Sequence, residues 1–190
     1  MQNKLILILI VITISLKSYS QISISTDGGF ILPSEYPEEF MIGLNLSCAY
    51  NITKQMRSGL LFGFYNWKSR EVYEDLSIRV FTMPISMVYE YRFLKGSFHP
   101  YAGINAGYYR QSLNMTGNWF GEYTSETDHK NGYGFAPILG FEYNIKNHFG
   151  LYLNAKYHFI YFNEESINEE EKGISCNVGI RFSFYQIDSM

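Results

Sequence analysis

From Met41 to Phe184 the residues alternate between apolar and polar or small, a period of two that dictates extended strands. In IGLNLSCAYNI (42–52), Ile42, Leu44, Leu46, Cys48, Tyr50 and Ile52 share one face. Gly43, Asn45, Ser47, Ala49 and Asn51 share the other. Later segments repeat the pattern: Phe81, Met83, Ile85, Met87, Tyr89, Tyr91 and Phe93 form one apolar row, and Ile174, Cys176, Val178, Ile180, Phe182 and Phe184 another. Glycines keep to the opposite parity, at Gly43, Gly59, Gly63, Gly103, Gly107, Gly134, Gly140 and Gly179. A water-soluble sandwich would bury the apolar row and expose the glycine row to water, where glycine has no advantage. A narrow closed barrel has the reverse need, because its interior admits only small side chains among larger ones. The glycine row therefore belongs inside and the apolar row outside.

What precedes the first strand fixes the compartment. Lys4 opens a positive start, LILILIVITI (5–14) is an unbroken apolar run, and Ser18 and Ser20 stand before a cut at Gln21. This reads as a secretory signal peptide over 1–20, too short to span a bilayer, followed by one domain over 21–190. Losing Lys4 and Lys17 with the leader takes the net charge from −3 to −5, which argues against a nucleic-acid partner. Seventeen Tyr and fifteen Phe accompany a mean hydropathy of only −0.13. Export, many aromatics and modest hydropathy fit a transmembrane β-barrel, whose lipid face uses every second residue.

Eight strands are expected, near 22–31, 41–52, 57–68, 77–93, 99–113, 132–145, 149–162 and 173–185. The connections after strands two, four and six are short (53–56, 94–98 and 146–148). Those after one, three, five and seven are longer (32–40, 69–76, 114–131 and 163–172). Short turns on one rim and long loops on the other mark an outer-membrane barrel with periplasmic turns. Strand one is irregular, since Asp27-Gly28-Gly29 interrupts the row of Ile22, Ile24 and Phe30. Pro84 and Pro137 each remove a ladder donor and predict a bulge or irregular pairing. Cys48 and Cys176 fall on apolar faces of strands that are not neighbours, and read as small apolar residues rather than a bridge.

At FTMPISMVYEYRFLKGSFHPYAGINAGYY (81–109), GYGFAPILGFEYNI (132–145) and LYLNAKY (151–157), the chain resembles the small outer-membrane β-barrel family of Gram-negative bacteria. Met83-Pro84 stands where that family commonly has Ile-Pro, and Pro100-Tyr101 opens its "PY-x-G-x-x-x-G" pattern. The resemblance implies an all-β, eight-stranded antiparallel transmembrane barrel similar to OmpA or OmpX, with PorT-like relatives, in the cell outer membrane. It implies no catalytic residues and no cofactor.

The residues alone nominate several sites, each beside a plainer reading. Arg57, Glu90, Arg92, Glu142, Lys156 and Arg181 fall on the inward parity. An unpaired buried charge is costly, so these groups are expected to pair, either as a polar plug or as a gated ion path. His158 with Ile160 fails the His-x-Ser pattern of barrel deacylases, and Asp128-His129 is a faint echo of the omptin-like proteases. NEESINEEEK (163–172) reads as a solvated tip, with no metal-site spacing. Arg110, outward near the top of strand five, is placed to reach lipid phosphates. Trp119-Phe120 and Tyr123 form a conceivable sugar platform. Aromatic girdles are expected from Tyr65, Trp67, Tyr109 and Trp119 at one rim, and from Phe93, Phe98, Tyr101, Phe149, Phe184 and Tyr185 at the other. Phe182-x-Phe184 resembles the ending read by the outer-membrane assembly machinery, although Tyr185 to Met190 follow it. The overall expectation is a monomeric, non-enzymatic surface protein contacting outer-membrane lipid, lipopolysaccharide and an unidentified partner. The alternative is a narrow-pore transport or secretion-accessory barrel.

Overall fold

The alternating segments form strands that pair in sequence order, each with the next, and the last returns to the first. The computed structural model describes residues 21–34, 40–73, 76–94, 96–119, 122–146, 148–163 and 168–184. The strands are β1 (Gln21–Pro33), β2 (Met41–Asn51), β3 (Met56–Tyr73), β4 (Leu76–Arg92), β5 (Phe98–Trp119), β6 (Glu122–Lys146), β7 (Phe149–Asn163) and β8 (Asn168–Ser183). All pairs are antiparallel, and β1–β8 closes the barrel through a register running from Ser23↔Ser183 to Pro33↔Gly173. The expected signal peptide over 1–20 lies outside the described residues.

Hydrophobicity is inverted relative to a water-soluble protein. Leu44, Met87, Leu139 and Val178 are 64–68% exposed on the outer wall, whereas Arg57 and Glu142 inside are 1% and 2% exposed. Among the described residues no helix is long and apolar enough to cross a membrane. Cys48 and Cys176 are free thiols on the outer wall, paired with Ile24 and Phe30 on opposite sides of β1.

Three expectations need correction. Strand one is not broken: Asp27, Gly28 and Gly29 continue the ladder opposite Asn45, Leu44 and Gly43, with Asp27 inside. The two glycines are tolerated because both flanking strands hold the backbone. At Pro84 and Pro137 the structure shows the expected irregular pairing, without a bulge. The β4–β5 and β5–β6 ladders run straight through them. On their other sides pairing lapses for two residues, between Phe62↔Ile85 and Tyr65↔Thr82 and between Phe135↔Phe159 and Ile138↔Lys156, then resumes in the same register. The register shifts fall instead at Trp67/Arg70, Glu71/Tyr73 and Asn144/Lys146.

The long connections are also mostly strand. Every described residue of the expected loop 114–131 is paired, with Asn114↔Thr127 to Trp119↔Glu122 at its outer end. The stretches 69–76 and 163–172 are likewise largely absorbed into β3–β4 and β7–β8. Their polar composition reflects water on both faces of a sheet, not loss of pairing. Above Gly132, β6 has no described partner on its β7 side, and β2 leaves β3 at Trp67. Beyond that level β3 to β6 form an open four-stranded flange. At the other rim the turns are tight. Thr53 Oγ1 accepts from the N–H groups of Gln55 (3.2 Å) and Met56 (2.9 Å), and Gly96 supplies a φ of +117° that side chains avoid.

The third correction concerns tyrosines. Tyr65, Tyr101 and Tyr109 are not girdle residues: they are 1–2% exposed and point inside. Each lies directly across from a glycine, Gly43, Gly140 and Gly132 respectively, and Tyr152 faces Gly179 in the same way. A Cβ at Gly43 would sit 2.6 Å from Tyr65 Cγ, and one at Gly179 2.7 Å from Tyr152 Cζ. The glycine row therefore makes space for inward tyrosines, which fill the lumen.

Candidate functional site

Three strands bring arginines to the short-turn end of the interior, where two glutamates receive them. Arg57 donates through Nη2 to Glu90 and through Nη1 to Glu142 at 3.2 Å. Arg181 donates to Glu142, and Arg92 Nε lies 3.8 Å from the same carboxylate. The Arg181 guanidinium sits 4.5 Å from the Tyr152 ring centre, and Arg57 sits 6.0 Å from that of Tyr101. Arg92 Nη2 also donates to Asn51 at 3.2 Å. The expected pairing of Glu90 and Glu142 is thus made with all three arginines. Lys156, also buried, has no carboxylate within 4.0 Å among the described residues.

A neutral network continues upward from this cluster. Asp27 accepts from Tyr152 Oη (2.6 Å) and Asn45 Nδ2 (2.5 Å), and Asn45 Nδ2 also reaches Tyr65 Oη at 2.7 Å. Asn177 donates to Asn154 (3.1 Å), which donates to Tyr101 Oη (3.4 Å). Sequence reasoning missed Asp27, Asn45, Asn154, Asn177 and Tyr152 as interior partners. Their signal was present, since each falls on the parity opposite its strand's apolar row. Chemically the interior is a largely hydrogen-bonded polar network packed among aromatic rings, suited to holding shape, although Asn45 Oδ1, Ser86 Oγ and Asn105 Oδ1 are buried without a hydrogen-bond partner among the described residues.

The enzyme-like fragments do not assemble. His158 is buried between Ser175 Oγ (2.9 Å from Nε2) and Tyr109 Oη (3.4 Å from Nδ1), with Ile160 above it. Asp128 accepts from the backbone N–H of His129 at 2.7 Å, while the His129 ring meets Ser112 Oγ at 2.9 Å, so the two side chains form no dyad. Among the described residues no three His, Cys, Asp or Glu side chains converge as a metal site. Phe120 lies outside the described residues, as do 164–167 of the acidic tip and 185–190 at the C-terminus.

Beside this closed barrel with apolar residues outside and ion pairs inside stands a family match: the model of the outer membrane protein β-barrel domain matches residues 13–182. The chain belongs to this family. No curated protein matches it. The fold is shared with a major outer membrane protein of Thermus thermophilus, at 12% identity and TM-score 0.64, covering 87% of this chain and 99% of that one. OprG of Pseudomonas aeruginosa is similar at 14% identity and TM-score 0.53, with 87% and 96% covered. Ail of Yersinia pestis is similar at 18% and 0.52, with 87% and 97% covered. At these identities the likeness is one of fold.

As an outer membrane β-barrel protein, the chain turns its apolar row to lipid. Aromatic pairs mark both edges of that band. Phe98 stacks on Phe141 (5.5 Å) and Phe182 meets Phe184 (5.1 Å) near the short turns. Tyr108 meets Tyr133 (5.8 Å) and Phe135 stacks on Phe159 (4.8 Å) toward the long hairpins. Phe98 to Tyr108 on β5 spans ten residues, which at about 3.3 Å each and a tilt of about 40° rises roughly 25 Å, the height of an outer-membrane apolar band.

Proposed function

We propose that this protein is a non-enzymatic, monomeric surface protein whose filled barrel is a rigid scaffold and whose long hairpins, facing outside, contact a partner. Both chain ends and the short turns then face the periplasm, and assembly proceeds through the outer-membrane machinery. The observation that carries this reading is the β3–β6 flange. It continues β5 from Tyr108 at the girdle to Trp119, and among the described residues no strand pairs with its outer edges beyond Trp67 and Gly132. Structure invested beyond the bilayer serves contact rather than spanning.

The alternative, a narrow-pore transport or secretion-accessory barrel, draws on the interior charges. Buried Tyr65, Tyr101, Tyr109 and Phe162 together with the paired carboxylates weigh against a continuous path. Replacing residues 114–131 and 163–172 with short Gly/Ser turns should leave heat-modifiable folding intact. It should also abolish partner pull-down and leave the envelope as sensitive as a full deletion does. Complete rescue of the deletion by the shortened barrel would move the function into the wall or interior.

A further inference from the structure

Past the Tyr108–Tyr133 girdle, the outward face of β4, β5 and β6 changes character. Arg110 lies two residues beyond Tyr108, and Arg79 two residues beyond Phe81. The register places them in nearby rows, Met83↔Arg110↔Asn131 and Arg79↔Asn114↔Thr127, with Phe81↔Ser112↔His129 between. Both arginines are exposed, and neither has an ion-pair partner within 4.0 Å among the described residues. By contrast, Lys172 on the opposite wall is held 3.2 Å from Glu170.

Charge is also sorted between the two faces of the β6 extension. Ser125, Thr127, His129 and Asn131 share the arginines' face, while Glu126 and Asp128 alternate onto the other. The β4–β5 and β5–β6 ladders are unbroken here, so this parity carries across β4, β5 and β6. The two guanidinium groups stand just beyond the apolar band, on a β4–β6 face of hydroxyl, amide and imidazole groups; the one carboxylate residue that the described register adds to this face, Glu71 opposite Ser77, lies on β3 beyond a register shift. A planar guanidinium fork matches phosphate geometry, and cations facing lipid need such a partner.

We propose that Arg79 and Arg110, with His129 in the intervening row, form a binding site for the sugar phosphate of an outer-leaflet glycolipid. The assignment rests on the outward orientation of the long hairpins given above. Phosphate anchors the arginines, and the hydroxyl- and amide-rich face accepts the sugar.

The test uses the full-length folded protein in zwitterionic micelles, titrated with bisphosphorylated lipid A and with its dephosphorylated form, and read by native mass spectrometry. Phosphorylated lipid should bind at least tenfold tighter. Arg79→Gln/Arg110→Gln should lose at least tenfold while keeping heat-modifiable migration, and the single variants report the same loss should the double variant not fold. Equal binding of the two lipids, or unchanged binding by the variants, would overturn the site. Displacement by millimolar inorganic phosphate would assign it to a free anion and overturn the lipid assignment. Micelles have no sides, so this result is independent of orientation, and an error in orientation would show instead in surface labelling.

Discussion

Glu142→Ala is expected to cost about 3–5 kcal/mol of stability, because breaking a buried ion pair strands its partners. Glu142 receives Arg57 and Arg181 and lies 3.8 Å from Arg92, so its loss leaves Glu90 as the one carboxylate of a cluster holding three guanidinium groups. These side chains are sealed by Tyr101 and Tyr152, and water cannot readily take the place of the missing anion. Urea unfolding in lipid vesicles measures the effect. Adding Arg181→Met should recover part of the loss, since one orphaned cation is then removed with its partner. A cost under about 1 kcal/mol would mean that the cluster is solvated and the interior open.

Gly140→Val comes next in size, at about 1–3 kcal/mol from overpacking. A Cβ at position 140 would stand 2.5 Å from Tyr101 Cζ, 2.7 Å from its hydroxyl oxygen and 2.7 Å from the Leu153 carbonyl oxygen. Tyr101→Ala removes the first two obstacles and leaves the third. The double variant should therefore lose less than the two single variants summed, with some penalty persisting. Strict additivity in the same unfolding assay would show that Tyr101 does not pack on Gly140.

The two-residue period was enough to read which wall faces lipid. Leu44, Met87, Leu139 and Val178 are outside and the glycines inside, because in a strand the parity of one residue fixes all its neighbours. The interior arginines and glutamates were legible for the same reason. Which arginine meets which glutamate was not, since Arg57, Glu90, Arg92, Glu142 and Arg181 are spread over several strands, and their reach depends on barrel shear. Tyr65, Tyr101 and Tyr109 were misplaced because their position near strand ends was weighed above parity. Gly103 and Gly107 on the same strand already put Tyr101 and Tyr109 inside. The hairpin over 114–131 was misread because its Thr, Ser, Asn and Glu residues resemble a loop. Backbone pairing between two water-facing strands needs no apolar row, so alternation is silent there.

Labelling of intact cells with a membrane-impermeant maleimide tests the central claim most directly: a filled barrel that projects its function outward. Single cysteines are placed at Ser125 on the flange, Lys54 in a short turn and Asn105 in the lumen, in a background with Cys48 and Cys176 changed to alanine. Ser125→Cys should label on intact cells and Lys54→Cys only after permeabilisation. Asn105→Cys should stay unlabelled until the protein is unfolded. Labelling of Lys54→Cys but not Ser125→Cys on intact cells would invert the orientation, and rapid labelling of Asn105→Cys in the folded protein would contradict the filled barrel.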